Sequence, residues 1–380
     1  MSMNSIIGNN ERVLIAMSGG VDSSVAAFLL QRDGYDCTAA MMKLYDAGEA
    51  VKGCCTLEDA EDARAVAQRL DMPFYVFNFM QEFEAEVLTR FVAAYQRGTT
   101  PNPCIDCNRF VKFEKFLHRA REIEHDYIAT GHYARIEKCG DRYLLKKGVD
   151  ESKDQSYVLY AMTQPQLART LLPLGGLAKS TVREIAQQAG LINAKKRDSQ
   201  DICFAPDGDY AGFITRYNTS LDSETHGCGN APCTAETCQP PGTPPGAFLS
   251  TDGRVLGQHR GLIHYTIGQR KGLGISAPQP LFVCALDVAN NAVILGESGA
   301  LFSHTLIATD INLIPFDTLH NDLRVTAKIR YSHPPQPAIL RQTGADQLHI
   351  TFDQPQRAIT PGQAVVLYDG DTVIGGGTIS

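Results

Sequence analysis

Hydrophobic positions in the first third of the chain switch repeatedly between two periods. Arg12 to Met17 reads as a buried strand, and Ser24 to Arg32 as a helix with Val25, Phe28 and Leu29 on one face, stopped by Gly34. Cys37 to Tyr45 is a second strand, Glu58 to Leu70 a helix with Ala60, Ala63, Ala67 and Leu70 inward, and Phe74 to Phe79 a third strand. A long helix with Phe83, Val87 and Phe91 on one stripe follows, then a fourth strand at Tyr127 to Tyr133. Strands alternating with helices predict an α/β fold, a doubly wound parallel sheet whose ligands bind at the carboxyl ends of the strands. Thr181 and Glu184 have capping-box spacing and open a last helix that ends near Gly190.

Beyond residue 205 the texture changes. Asn218 to Gly246 carries little apolar pattern and much Pro and Gly, as a loop insertion or linker does. Short strand-like runs follow at Leu281–Leu286, Ala292–Leu295, Val325–Tyr331, Gln347–Phe352 and Ala364–Tyr368, which predict a small C-terminal β-barrel. The expected domains are 1–205, a catalytic α/β unit; 206–279, a central unit with a Cys-rich insertion; and 280–380, the barrel.

A chain of 380 residues with 43% hydrophobic and 20% charged positions buries a real core and is neither disordered nor fibrous. No apolar run approaches the ~20 residues of a membrane span, and the first residues lack a secretory pattern, so a cytoplasmic protein without membrane partners is expected. The net charge of -7 argues against indiscriminate coating of nucleic acid. Eleven cysteines in a reducing compartment point to reactive or metal-binding thiols rather than a disulfide framework.

Three segments carry chemistry. Ser18-Gly19-Gly20-Val21-Asp22-Ser23 lies between the first strand and its helix. Its glycines let backbone N–H groups approach an anion, the helix N-terminus adds partial positive charge, and the serines add donors. It lacks the Gly-Lys-Ser/Thr of a Walker A loop, and Asp22 is placed to hold Mg2+ across phosphates. In Thr100-Pro101-Asn102-Pro103-Cys104-Ile105-Asp106-Cys107-Asn108 the prolines are expected to hold Cys104 and Cys107 in a rigid loop rather than a helix. Cys-x-x-Cys spacing suits a redox pair, two cluster ligands, or a low-pKa nucleophile with a neighbour. Cys203 follows the basic run Lys195-Lys196-Arg197, which suits either a stabilised thiolate or a structural thiol.

The hexapeptide resembles the PP-loop of ATP pyrophosphatases. With the Thr-Pro-Asn-Pro segment, Thr130-Gly131-His132-Tyr133, Lys153-Asp154-Gln155-Ser156-Tyr157, the Cys203 segment and Gly268-Gln269-Arg270-Lys271-Gly272-Leu273-Gly274 in order, nearly the whole chain resembles bacterial tRNA-specific 2-thiouridylases. That resemblance implies a sulfurtransferase that adenylates O2 of the tRNA wobble uridine with ATP and then replaces it with sulfur from a cysteine persulfide. It implies ATP contacts at Ala16, Met17, Ser18, Gly19, Gly20, Val21, Asp22, Ser23, Met42 and Gly131, a nucleophile at Cys107 and a persulfide carrier at Cys203. Asn102, Pro103 and Cys104 would meet the target base, and His132, Lys153, Asp154, Gln155, Arg330, Tyr331 and Gln363 would touch tRNA, of the Lys, Glu and Gln kinds. A cysteine desulfurase or a sulfur-relay protein is the implied donor. A common form of the motif carries Asp where this chain has Cys104; Cys104, Cys107 and Cys203 together would also suit a [4Fe–4S] cluster, so both sulfur routes stand.

Two tracts without acids, Gly253 to Leu286 and Leu323 to Ala345, supply Arg254, Arg260, Arg270, Lys271, Arg324, Lys328 and Arg330, a basic face for phosphates. Cys228, Cys233 and Cys238 near His226 read as loop thiols, Cys54-Cys55 as a loop end, and Cys37, Cys139 and Cys284 as apolar fillers.

Overall fold

The computed structural model of the chain describes residues 11–45, 56–196, 202–225 and 242–380. Cys54, Cys55, His226, Cys228, Cys233 and Cys238 lie outside the described residues.

The first sheet is parallel throughout. β1 (Arg12–Ala16), β2 (Asp36–Lys43), β3 (Phe74–Asn78) and β4 (Tyr127–Ala129) are ordered β3-β2-β1-β4, with Thr170–Leu171 beyond β4. Val13, Leu14 and Ile15 are fully buried because helices cover both faces of the sheet, which is why this strand reads as unbroken apolar sequence. α1 (Val21–Arg32) follows β1, and α2 (Leu57–Arg69) opens on a capping box in which Thr56 and Asp59 satisfy each other's backbone N–H groups. Phe83, Val87 and Phe91 are buried as their stripe requires, on a continuous helix over 80–96.

Two elements start elsewhere than expected. The last helix of this unit is Lys179–Gln188, which places Thr181 inside it; the side chain that meets its first N–H is Asp150, 2.9 Å from the Lys179 nitrogen. Tyr210–Thr225 is a helix, so the linker expected from Asn218 begins in helical structure.

The remaining strands make two sheets. One is ordered Phe282–Asp287, Ala292–Gly296, Gly246–Ser250, Val255–His259. Phe282–Asp287 and Ala292–Gly296, grouped by pattern with the C-terminal strands, belong here because Ala292–Leu295 pairs in parallel with Ala247–Ser250 and buries Phe248, Val283, Val293 and Leu295 together. Short strands look alike in sequence; only long-range pairing sorts them. The other sheet closes into a six-stranded barrel from Phe302–Leu313 to Thr372–Ile379, whose first and last strands pair. Val325, Ala327, Leu340, Leu348, Ile350, Val365 and Leu367 fill it. Tyr157 and Tyr160 from the first unit share a buried cluster with Ala364 and Tyr368 of the barrel, and Ile105 and Cys107 belong to the same cluster. Among the described residues no helix is long and apolar enough to cross a membrane.

Candidate active site

β1 lies between β2 and β4, the point where an open parallel sheet reverses its winding and leaves a crevice at the strands' carboxyl ends. The loops leaving β1 and β4 there are Ser18–Gly20 and Thr130–His132. Met42, near the end of β2, and Ala16 and Met17, after the buried run of β1, line the same edge.

The first loop is built for an anion. Ser23 Oγ accepts from the Ser18 N–H at 3.2 Å and donates to Gly20 O at 3.1 Å, which fixes the turn. No side chain caps α1 at Gly20, so its first-turn N–H groups remain available to a phosphate. Gly19 sits at φ 73°, where a Cβ would come within 2.4 Å of Asp59 O; at Gly131 a Cβ would lie 2.8 Å from Asp22 C and Ser23 N. Only glycine lets α2 and the β4 loop close on the anion loop this tightly.

Asp22 does not offer an open carboxylate to a metal. Lys179 Nζ donates to its two oxygens at 2.7 and 2.8 Å, and Tyr133 Oη donates to Oδ1 at 2.7 Å. The Mg2+ role expected of Asp22 therefore does not fit this arrangement, and the lysine missing from the loop arrives from a helix far along the chain.

Cys104 and Cys107 occupy the first turns of a helix, not a loop. Pro103 stands at the first helical position, where its missing N–H costs nothing, and Asn102 caps it by accepting from the Cys104 N–H at 3.1 Å. Pro103–Asp106 is α-helical, Cys107–Lys115 a π-helical segment, and Phe116–Glu122 α-helical again. π turns gather at functional positions. Cys107 is buried and Cys104 exposed. Burial pushes the Asp106 carboxyl between them up to about 6, against the pull of Arg90 and Arg109. Cys203 is half-buried against the core cluster that also contains Cys107, and the next residue, Phe204, packs its ring 5.1 Å from Phe91 and 4.7 Å from Phe213. No three His, Cys, Asp or Glu side chains among the described residues converge as a metal or cluster requires, and Cys104, Cys107 and Cys203 are all among them.

The side chains expected to meet tRNA divide into two kinds. His132 bonds Thr130 Oγ1 through Nδ1 at 2.8 Å and lies 5.8 Å from the Phe113 ring; burial, then Lys112, lowers it to about 3, so it is neutral. Asp154 accepts from the Gly148 and Ser156 N–H groups, Gln155 Oε1 accepts from the Tyr133 N–H at 2.9 Å, and the Lys153 N–H donates to Asp150 O, so this loop is knitted to itself and to Tyr133. Gln363 Nε2 donates to Thr100 O at 2.7 Å and the Thr100 N–H to Pro361 O, which ties the barrel to the cysteine segment. Arg330 donates to Arg357 O and Ala358 O, each at 2.9 Å. Tyr331 Oη donates to Asp154 O; partial burial of the hydroxyl, then Asp154 and Cys104, push its pKa up. Lys328 Nζ stands 5.7 Å over Tyr157 and 5.6 Å over Tyr331.

The basic face expected from composition is narrower than its charges suggest. Arg324 pairs with Asp353, Arg341 with Asp322 and Arg254 with Asp252, and the strand ends at Lys328, before Arg330. Asp252 and Asp322, at the borders of the two tracts, and Asp353, beyond the second, pair three of the cations of these acid-free stretches. Cys139 is exposed, not a filler; Cys37 is buried and Cys284 half-buried.

Comparison with known proteins decides the family. Residues 11–207 match a family described as tRNA methyl transferase HUP domain, 239–297 its PRC-barrel domain, and 303–379 an aminomethyltransferase beta-barrel domain. The chain is 48% identical over 375 residues to the tRNA-specific 2-thiouridylase MnmA of Clostridioides difficile (strain 630), covering 97% of this chain and 98% of that protein. The chain belongs to the tRNA-specific 2-thiouridylase family. It is also 48% identical over 377 residues to MnmA 1 of Thermoanaerobacter sp. (strain X514), with 97% and 98% covered, and 46% identical over 373 residues to MnmA of Clostridium beijerinckii, with the same coverage.

This 2-thiouridylase chain holds residues at the anion loop that its sequence did not mark. Besides Lys179, Asn193 is buried and donates to Gly19 O at 3.0 Å and Ser24 Oγ at 2.8 Å. Lys196, read in sequence as part of the basic run before Cys203, bonds Asp59 at 2.7 Å and Asp62 at 2.5 Å. No local signal distinguishes Lys179 or Asn193, or names the partners of Lys196. Each works through a partner more than 130 residues away.

Proposed function

We propose that the chain is an ATP-dependent tRNA-uridine 2-sulfurtransferase acting on the wobble uridine, with Cys107 as nucleophile and Cys203 as persulfide carrier. The observation that supports this most directly is the position of Gly131-His132. Gly131 presses on the Asp22–Ser23 backbone, and the neighbouring His132 ring meets Phe113 of the π-helical segment that begins at Cys107, so one two-residue stretch touches both the anion loop and the helix that carries the cysteine. Methyl transfer, named in the family description, needs neither an anion loop of this kind nor two cysteines on one core.

Uridine O2 is a poor leaving group until it carries adenylate. O2 attacks the α-phosphorus of ATP held at the α1 N-terminus, N3 loses its proton, and pyrophosphate departs. The terminal sulfur of a Cys203 persulfide then attacks C2, and AMP leaves with the former O2. Cys107 thiolate attacks Cys203 Sγ; the Cys107–Cys203 disulfide forms, the electron pair passes to the sulfur on C2, and N3 regains its proton as 2-thiouridine is released. A dithiol reductant restores both cysteines. The base must leave the anticodon stack to reach C2 chemistry in the crevice. We assign the donor to a cysteine desulfurase or sulfur-relay protein and the substrates to tRNAs for Lys, Glu and Gln.

Purified chain with magnesium, ATP, unmodified tRNA and a protein persulfide should yield 2-thiouridine, AMP and pyrophosphate in equal amounts. Thiolation without AMP release, or no thiolation, contradicts the proposal.

A further inference from the structure

The barrel grips the cysteine segment at both ends. Before Cys104 the grip is Pro361 and Gln363 on Thr100; after Cys107 it is Asp310, whose carboxylate meets Arg109 Nη1 at 2.5 Å across 201 residues. Asp310 is held in an unusual way. It is a non-glycine residue at φ 50°, in the interruption of the Phe302–Leu313 strand between Thr309 and Asn312. The Asp310 and Ile311 N–H groups both donate to the Asp346 carboxylate, at 3.1 and 2.8 Å, and Asn312 Nδ2 donates to Tyr160 O and Met162 O at 2.7 and 3.0 Å.

Three neighbouring barrel residues are thus set by specific bonds that aim one carboxylate at the π-helical segment that begins at Cys107. Strained backbone persists where its surroundings over-determine it, and such positions gather at functional sites. A partly exposed ion pair returns little stability, so stability alone does not account for the arrangement. Arg109 stands two residues after Cys107, at the start of the π-helical segment, where a small displacement of the backbone would re-aim the thiol.

We propose that Arg109 and Asp310 form a positioning clamp by which the barrel sets the aim of Cys107 for the sulfur-transfer step. Neither residue touches the reacting atoms. This rests on the thiolation reading above.

The test uses full-length Asp310→Asn, Arg109→Gln and the double variant. Asn tolerates the left-handed backbone as Asp does, so Asp310→Asn removes the charge without disturbing the turn. Each single variant should change the rate of Cys107 alkylation by iodoacetamide about threefold or more and slow single-turnover thiolation about tenfold, while the double is no worse than either single. Pyrophosphate release should match the parent, and thermal midpoints should stay within about 2 °C. Parent-like Cys107 alkylation and thiolation in the singles, additive effects in the double, or losses explained by a lowered midpoint overturn the clamp. If the parent itself makes no 2-thiouridine, the thiolation reading fails, while the alkylation rates and their coupling still decide whether the clamp exists.

Discussion

Lys179 Nζ bridges both carboxylate oxygens of Asp22, at 2.7 and 2.8 Å, although the two residues stand 157 positions apart. A cation thereby sits at the anion loop before any nucleotide arrives. If Lys179 turns from Asp22 toward a bound triphosphate, it supplies the positive charge that the loop itself lacks, and substitutions at Lys179 test this. Lys179→Met should lower tRNA-dependent pyrophosphate release about a hundredfold and destabilise the fold by about 1–3 kcal/mol, because Asp22 is left partly buried with Tyr133 as a donor but without its counter-charge. Lys179→Arg should recover most of the stability and only part of the rate. Release assays and thermal melts on the same preparations check both.

The cysteines separate by burial and by position on their helix. Cys107→Ser and Cys203→Ser should each abolish thiolation while retaining adenylation, seen as pyrophosphate release without 2-thiouridine. Cys104→Ser should keep thiolation within about threefold of the parent, since exposed Cys104 takes no part in the persulfide route. Loss of activity in Cys104→Ser together with loss of bound iron would instead favour a cluster.

Two groups set opposing acid dependences of stability. His132 is lowered to about 3, so between its unfolded value near 6.5 and about 3 the unfolded chain binds more protons; stability is lost as pH falls through that window. Asp106 is raised to about 6, so the native state binds more protons between about 4 and 6, and stability from this group is lost as pH rises through that range. Asp106→Asn should therefore stabilise the chain by about 1–3 kcal/mol at pH 7.5 and by nothing measurable below pH ~4. His132→Gln should flatten the loss between pH ~6 and ~4. Urea melts across pH check both signs.

Much of this was legible along the chain, and the exceptions share a cause. The strand–glycine–helix passage at Ala16 to Ser23 is local, so period and composition suffice to find it. Pro103 was read as holding a loop, yet the same ring that stiffens a loop also fits the first position of a helix; the cap from Asn102 decides, and that is a matter of one hydrogen bond. Lys179, Asn193 and Asp310 carry no local mark, since each gains its meaning from a partner brought by tertiary folding. The basic tract around Arg324 misled for the same reason: Asp353 lies outside it in sequence and beside it in space.

RNA binding should follow the cations that remain. Lys328→Ala, over the Tyr157 and Tyr331 rings, should weaken tRNA binding and reduce the slope of log affinity against log salt by about 1, whereas Arg324→Ala should leave both unchanged because Asp353 already pairs it. Filter binding across salt concentrations checks the pair.

The central claim is that O2 of the uridine becomes an oxygen of AMP. Transfer RNA carrying oxygen-18 at O2 of the wobble uridine, thiolated in a single turnover, measures this directly by mass spectrometry of the nucleotide products. The expected result is one labelled oxygen in AMP for each 2-thiouridine formed. Unlabelled AMP, with the label in pyrophosphate or water, would contradict it.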